Sequence, residues 1–327
     1  MKLKYPIYIP SKGRGDICNT ADLLRAEGIP FKIVIDSQDV ESYSIKYPED
    51  LLVVPVDNLG EFSARNFIKE YAKSKGQVFH WQVDDDVKTF RRRINNKNTI
   101  VKAKPMFRAI EKYVDMHTNV ATAAMCYMNY AFAKRYKIDV NKQCCSCTLV
   151  RSSIEQNWRG SSGQTDTDFA VQVLMAGWCT LLFNIFLIDM PAPMALKGGN
   201  TDGYYSGDGR AKSNQALCDA WPGFFRRGAH KDGRDRIMPS RIWMGFRQIL
   251  RRKDGKTLFP IYIQRTLHKQ FDPVDPSIIL EEKAKAKAEK ASSQCTPKSL
   301  KKVPAKKKAP AKPKKKKKPT VKKIRKT

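Results

Sequence analysis

Short apolar runs and helix-spaced apolar stripes alternate along the first 120 residues. "YPIYIPS" (5–11) is a β-rich run closed by "KGRG". "DICNTADLLRAEG" (16–28) spaces its apolar residues along one helical face and stops at a glycine. "FKIVID" (31–36) and "LLVVPV" (51–56) predict two further strands. In "SARNFIKEYAKSKG" (63–76), Ala64, Phe67, Ile68, Tyr71 and Ala72 form one stripe that ends at Gly76. "QVFHWQV" (77–83) is the next strand. This alternation predicts an α/β fold: a mixed, mostly parallel sheet flanked by helices. Ligands in such sheets sit beyond the carboxyl ends of the strands. Arg14, Asp36 and the run Asp84–Asp85–Asp86 all fall there.

The second half is less regular. A helix is expected over 103–117, strands over 120–133 and 145–150, a short helix over 167–177 and a strand over 179–188. Residues 195–240 are rich in Gly, Asp, Arg and Trp and read as long functional loops. "RIWMGFRQILRR" (241–252) reads as an amphipathic basic helix. Residues 281–327, rich in Lys, Ala and Pro, have no apolar periodicity and are expected to be disordered. The expected organisation is one domain in two halves, 1–120 and 121–270, followed by that tail.

Charge sharpens the picture. The net charge of +30 over 327 residues is unevenly placed. The tail holds 20 Lys/Arg against 3 Glu, or +17, and the other 280 residues hold 42 basic and 29 acidic side chains, or +13. A polyanionic partner is expected, nucleic acid first. The tail would bind phosphates by counterion release, or serve only to solubilise or localise the chain. "WCTLLFNIFLIDM" (178–190) is shorter than the roughly 18 apolar residues a membrane span needs. The N-terminus lacks a signal-peptide layout, so a cytoplasmic protein with reduced thiols is expected, in a host cell's cytoplasm if the source is viral. "QCCSC" (143–147) crowds three thiols too closely for a four-ligand zinc site and reads as buried strand.

Three adjacent carboxylates in so basic a chain need compensation. Residues i and i+2 after a strand converge, so Asp84 and Asp86 form the natural pair for Mn²⁺ or Mg²⁺, and Asp85 is left to touch a ribose or a second ligand. The alternative is a solvated acidic turn.

Four features occur together: a first strand ending in "IPSKGR", a second ending in "VID", "SARN" at a helix start, and "VDDDV" closing a strand. They resemble the nucleotide-sugar half of glycosyltransferases of the GT-A fold. The resemblance implies a nucleoside-diphosphate sugar, such as a UDP-sugar, with a divalent metal bridging its diphosphate to Asp84 and Asp86. Pro10, Ser11, Arg14, Asp36 and Asp85 would line the donor, and Arg65 and Asn66 would face it from a helix N-terminus that itself favours phosphate. "YIPSKGR" and "VDDDV", with "GGNTDG" (198–203) and "WPGF" (221–224), resemble more narrowly the TET-associated, GREB1-like phage glycosyltransferases. That likeness spans roughly residues 5–245 and implies transfer to a hydroxymethylated pyrimidine of double-stranded DNA, 5-hydroxymethylcytosine above all.

On the acceptor side, Asp166 in "SGQTDTDFAVQ" (162–172) is the candidate base, while Thr165 and Asp168 also fit a capping arrangement. His230 is a candidate third metal ligand. DNA is expected to meet Trp158, Arg159, Asn200, Lys212, Trp221, Arg226, Arg227 and Lys231, with Trp243 as a further stacking candidate. Three other readings compete: a related transferase with a protein, lipid or glycan acceptor, a sugar nucleotidyltransferase, and a non-catalytic Lys-tailed DNA-binding protein.

Overall fold

Strands and helices alternate through residue 83 as the pattern predicts, and they build one side of a large mixed sheet. The computed structural model describes residues 2–55, 60–131, 137–160, 164–191, 208–230, 233–239, 246–255 and 257–258. All of these belong to one compact unit, Met1–Glu282. The expected Lys-rich tail lies outside the described residues.

β1 (Ile7–Pro10), β2 (Lys32–Asp36), β3 (Leu51–Val54) and β4 (Phe79–Val83) run parallel in the order β3-β2-β1-β4. β9 (Cys147–Arg151) joins β4 antiparallel and leads on to β7 (Val120–Tyr127) and β10 (Cys179–Asp189). The hairpin of β5 (Thr89–Ile94) and β6 (Lys97–Ile100) completes the edge, and β8 (Ile138–Val140) pairs with β10 off this path. Strands β1 to β4, β6, β7 and β10 point one way and β5, β8 and β9 the other. The sheet is therefore mixed and mostly parallel, as the GT-A resemblance implies.

Period-2 alternation sorts the helices onto two faces. Ile7, Ile9, Ile33, Ile35, Trp81 and Val83 pack with α1 (Asn19–Ala26), α2 (Val40–Ser44) and α4 (Ala103–Asp115). On the other face, Tyr8 and Val34 pack under α3 (Glu61–Ser74), and Ala121 and Val150 under α6 (Thr165–Met175).

Several elements depart from the pattern. β5 and β6 escape it because Arg91–Arg93 fill the middle of β5 and Lys97, Asn98 and Thr99 make β6 polar. Their turn is Asn95–Asn96, with φ of 47° and 63°, a conformation that asparagine tolerates and two-residue hairpins require. The expected strand over 120–133 stops at Tyr127 and passes into the short helix α5 (Met128–Ala131). The expected long loops contain α7 (Gly209–Ala220) and the hairpin β11 (Phe225–Ala229)–β12 (Asp235–Pro239), which packs on α7. The helix expected over 241–252 is absent from its described part. Leu250–Arg251 is β13 instead, paired with β14 (Thr257–Leu258), and its apolar residues serve a strand and a connection. No described helix is long and apolar enough to cross a membrane.

Candidate active site

β1, β2 and β4 deliver their carboxyl ends to one place. Past Pro10, Ser11 Oγ lies 2.6 Å from the Tyr43 hydroxyl and donates to Asp85. Arg14 gives its backbone N–H to the same hydroxyl at 2.9 Å and its guanidinium to Asp85. The same guanidinium nitrogen is 3.3 Å from Asp86. At the end of β2, the buried Asp36 lies 3.5 Å from Lys12 Nζ and accepts from Gln38 at 3.3 Å.

The acidic turn is fixed from below. Thr20 donates its backbone N–H to the Asp85 carbonyl at 3.1 Å and its hydroxyl to the Asp84 carbonyl at 2.5 Å, while accepting from Val87 N–H at 3.0 Å. Asp84 N–H reaches the Ser146 carbonyl at 2.7 Å. Nothing local in the sequence marks Thr20, Tyr43 or Ser146 for this work.

Alternation along β4 decides what reaches the turn from behind. Phe79, Trp81 and Val83 face the core, so His80, Gln82 and Asp84 fall on the α3 side. His80 sits between Ser152 at 2.9 Å and Gln82 at 3.1 Å, and burial pushes its pKa down to about 3. Gln82 donates to the Arg65 carbonyl at 3.0 Å. The buried Arg65 donates to Asp84 at 2.7 Å and to Glu61 at 3.0 Å. Burial opposes its charge, and Asp84 and Glu61 more than compensate. Arg65 thus lies beneath Asp84 and orients it, where the sequence suggested a side chain facing the donor.

The neighbouring α3 residues hold the other half of the site. Asn66 Nδ2 donates to the Trp158 carbonyl at 2.8 Å, and Asn66 Oδ1 accepts from Trp158 N–H at 2.9 Å. The buried Lys69 ammonium donates to the Ile154 and Gln156 carbonyls at 3.2 and 2.8 Å and to Asn157 at 2.6 Å. This clamp positions the segment before α6, where Asp166 sits half-buried, 3.3 Å from Trp158 Nε1. Burial pushes the Asp166 carboxyl up to about 7; Arg65 opposes that rise, and Glu61 and Asp84 add to it. Asp84, Arg65 and Asp166 are therefore brought within electrostatic reach of one another. Tyr127 feels the charges of both Asp84 and Asp166 and bonds the Ser146 hydroxyl.

A hard cation finds a partial donor set here. Among the described residues no group of three or more His, Cys, Asp or Glu is arranged to hold a metal ion. Asp84 and Asp86, however, each use one oxygen on an arginine and leave the other without a hydrogen bond to a described residue. Burial and then the charges of Asp84 and Asp85 push Asp86 up to about 7, against Arg14. Two carboxylate oxygens completed by substrate phosphates and water are the usual company of Mg²⁺, so the residues fit such an ion. His230 is exposed on the β11–β12 connection, where its backbone N–H bonds the Arg234 carbonyl.

The residues expected to meet DNA are placed unevenly. Trp158 is 4% exposed and stacks on Phe169 at 3.7 Å, so its ring belongs to the core. Arg159 pairs with the fully buried Asp168, which also accepts from Trp221 Nε1 at 2.7 Å and Gln172 at 2.8 Å. Asp168 is thus the buried hub of that cluster, not a helix cap. Lys212 pairs with Asp208 at 3.1 Å, Arg227 with Asp235 at 2.7 Å, and Arg226 is exposed. Asn200, Lys231 and Trp243 lie outside the described residues.

A family model described as TET-Associated Glycosyltransferase matches residues 5–199. The chain belongs to this family. As a TET-associated glycosyltransferase it is a transferase of DNA modification. The matched span contains the acidic turn, α3 and Asp166, and it stops short of "WPGF", α7 and β11–β12, so the family likeness is shorter than the 5–245 read from motifs. No curated protein matches. Among solved structures, mannose-1-phosphate geranyltransferase from Thermus thermophilus is similar over 76% of this chain and 69% of that one, at 11% identity. Its TM-score of 0.28 is too low for the likeness to carry weight.

Proposed function

We propose that this TET-associated glycosyltransferase moves a sugar from a nucleoside-diphosphate sugar, UDP-linked in the simplest case, to 5-hydroxymethylcytosine or a similar hydroxymethylated base in double-stranded DNA. One observation carries the reading. Two carboxylates, each with one oxygen bonded to no described residue, follow the carboxyl end of β4, beside Arg14 and within electrostatic reach of the Asp166 carboxyl, which burial raises to about 7.

Asp84 and Asp86 would hold Mn²⁺ or Mg²⁺ together with the donor's diphosphate. A bound divalent ion supplies charge neutralisation for the departing diphosphate. Arg65 keeps Asp84 aimed at that place, and Ser11 and Arg14 keep Asp85 and Asp86 from collapsing onto it. Asp166 accepts the proton of the acceptor hydroxyl as its oxygen bonds the anomeric carbon and the bond from that carbon to the diphosphate breaks. A carboxyl poised near 7 suits that task, because a general base works best near the operating pH. The net positive charge of the chain concentrates DNA around it.

The test is nucleoside mass spectrometry after the full chain is incubated with a panel of sugar nucleotides and with hydroxymethylated or unmodified DNA. A sugar mass added only to the hydroxymethylated base supports the reading. Transfer to glycans or proteins alone, or pyrophosphate release from a nucleoside triphosphate, would replace it.

A further inference from the structure

The β5–β6 hairpin starts three residues after Asp86. Between 88 and 104 it and its flanks hold seven Lys/Arg and no Asp or Glu. Lys88, Lys97 and Lys102 are exposed, and β6 is the outermost strand of the sheet. Arg91 already pairs with Asp189 at 3.5 Å, so the exposed Lys88, Lys97 and Lys102 are the cations placed to meet a polyanion. The hairpin is joined to α5, because Arg93 donates to the Ala131 carbonyl.

On α5, next to that bond, Tyr130 is 63% exposed. Its ring stands edge-on to Tyr127 at 5.8 Å. Tyr127 in turn bonds Ser146 beneath the acidic turn and lies within the fields of Asp84 and Asp166. An open aromatic face therefore rests edge-on against a tyrosine that reaches the acidic turn, with a basic ribbon beside it. That combination is how proteins hold unstacked nucleotides: the ring takes a base and the cations take the phosphates beside it.

We propose that Tyr130 stacks on a base displaced from the duplex at the modified position, and that the β5–β6 hairpin grips the flanking phosphates. The inference rests on modified DNA being the acceptor. It adds that the target leaves the helical stack, so a hydroxymethylcytosine opposite a mismatch reacts faster than one in a perfect duplex, because less unpairing is required.

The experiment uses the full chain with hydroxymethylated duplexes, matched and mismatched, and three variants: Tyr130→Ala, Tyr130→Phe, and Lys97→Glu combined with Lys102→Glu. Tyr130→Ala is expected to raise KM for DNA by about 10-fold or more, the loss of one stacked base, with Phe restoring it. The double charge reversal should weaken DNA binding and flatten the slope of log affinity against log salt by about two, since each phosphate contact contributes roughly 0.9. Sugar-nucleotide affinity measured without DNA should stay at the wild-type value in all three, which separates this effect from misfolding. Wild-type KM in Tyr130→Ala together with an unchanged salt slope would overturn the proposal while leaving the acceptor reading intact. If the wild-type chain transfers no sugar to any DNA, the acceptor reading falls first and this inference with it.

Discussion

Asp166→Asn separates chemistry from stability. The Asp166 carboxyl is raised from the ordinary 3.8 to about 7, first by burial, with Glu61 and Asp84 adding to Arg65's incomplete relief. The folded protein therefore holds a proton between those values that the unfolded chain has released. Stability falls as pH rises from about 4 to about 7, and the cost is fully present above 7. Three units at about 1.4 kcal/mol each set an upper limit of about 4 kcal/mol. Solvent at this half-buried site reduces that, so a gain of about 1–2 kcal/mol is expected for Asp166→Asn at pH 8. Asn retains an oxygen to accept from Trp158 Nε1 but has no charge for Glu61 and Asp84 to repel. Denaturant unfolding of both proteins at pH 4.5 and pH 8 measures the gain, which should shrink to about a quarter at the lower pH. Loss of the base should lower kcat by about 10²- to 10⁴-fold. In the unsubstituted enzyme kcat/KM should rise with pH to a plateau above about 7. An Asp166→Asn protein that is less stable at pH 8 and turns over normally would refute both the electrostatic account and the assignment of the base.

Three further outcomes are expected. Arg65→Ala leaves Asp84 and Glu61 facing each other without their shared cation and should cost about 3–5 kcal/mol in denaturant unfolding. Lys69→Met keeps the length of the stem but strands two carbonyls and Asn157, so a loss of about 1–3 kcal/mol is expected, with reduced transfer because the segment before Asp166 loosens. Truncation after residue 280 removes +17 of charge. It should weaken DNA affinity and flatten its salt dependence, as fluorescence anisotropy at several salt concentrations would measure, while hydrolysis of the sugar nucleotide proceeds unchanged.

The sheet's parallel side was legible because strands covered on both faces read as short continuous apolar runs, as in β1, β2 and β3, while β4 alternates apolar and polar residues. The acidic turn was legible because three carboxylates in a basic chain need a reason. "FHWQVD" also displayed the stripe that runs from His80 through Gln82 to Asp84, since each polar residue there alternates with an apolar one, yet only the structure shows Arg65 closing it. The β5–β6 hairpin was hidden because Arg91, Arg92 and Arg93 obscure the alternation, although Asn95–Asn96 marked its turn. Trp158 and Arg159 sit among polar neighbours and read as exposed. Their true partners, Phe169 and Asp168, lie on α6, and only tertiary packing brings them together. Lys69 looked like one more solvated lysine on a helix, and nothing within its own turn announces that three acceptors from the 154–157 segment converge on it.

Calorimetric titration of a UDP-sugar, with and without Mn²⁺, into the wild-type chain and into Asp86→Ala tests the donor site most directly. The account predicts heat that requires Mn²⁺ in the wild type and disappears in Asp86→Ala, with the two proteins melting cooperatively at similar temperatures. Binding that ignores Mn²⁺, or that survives intact in Asp86→Ala, would contradict it.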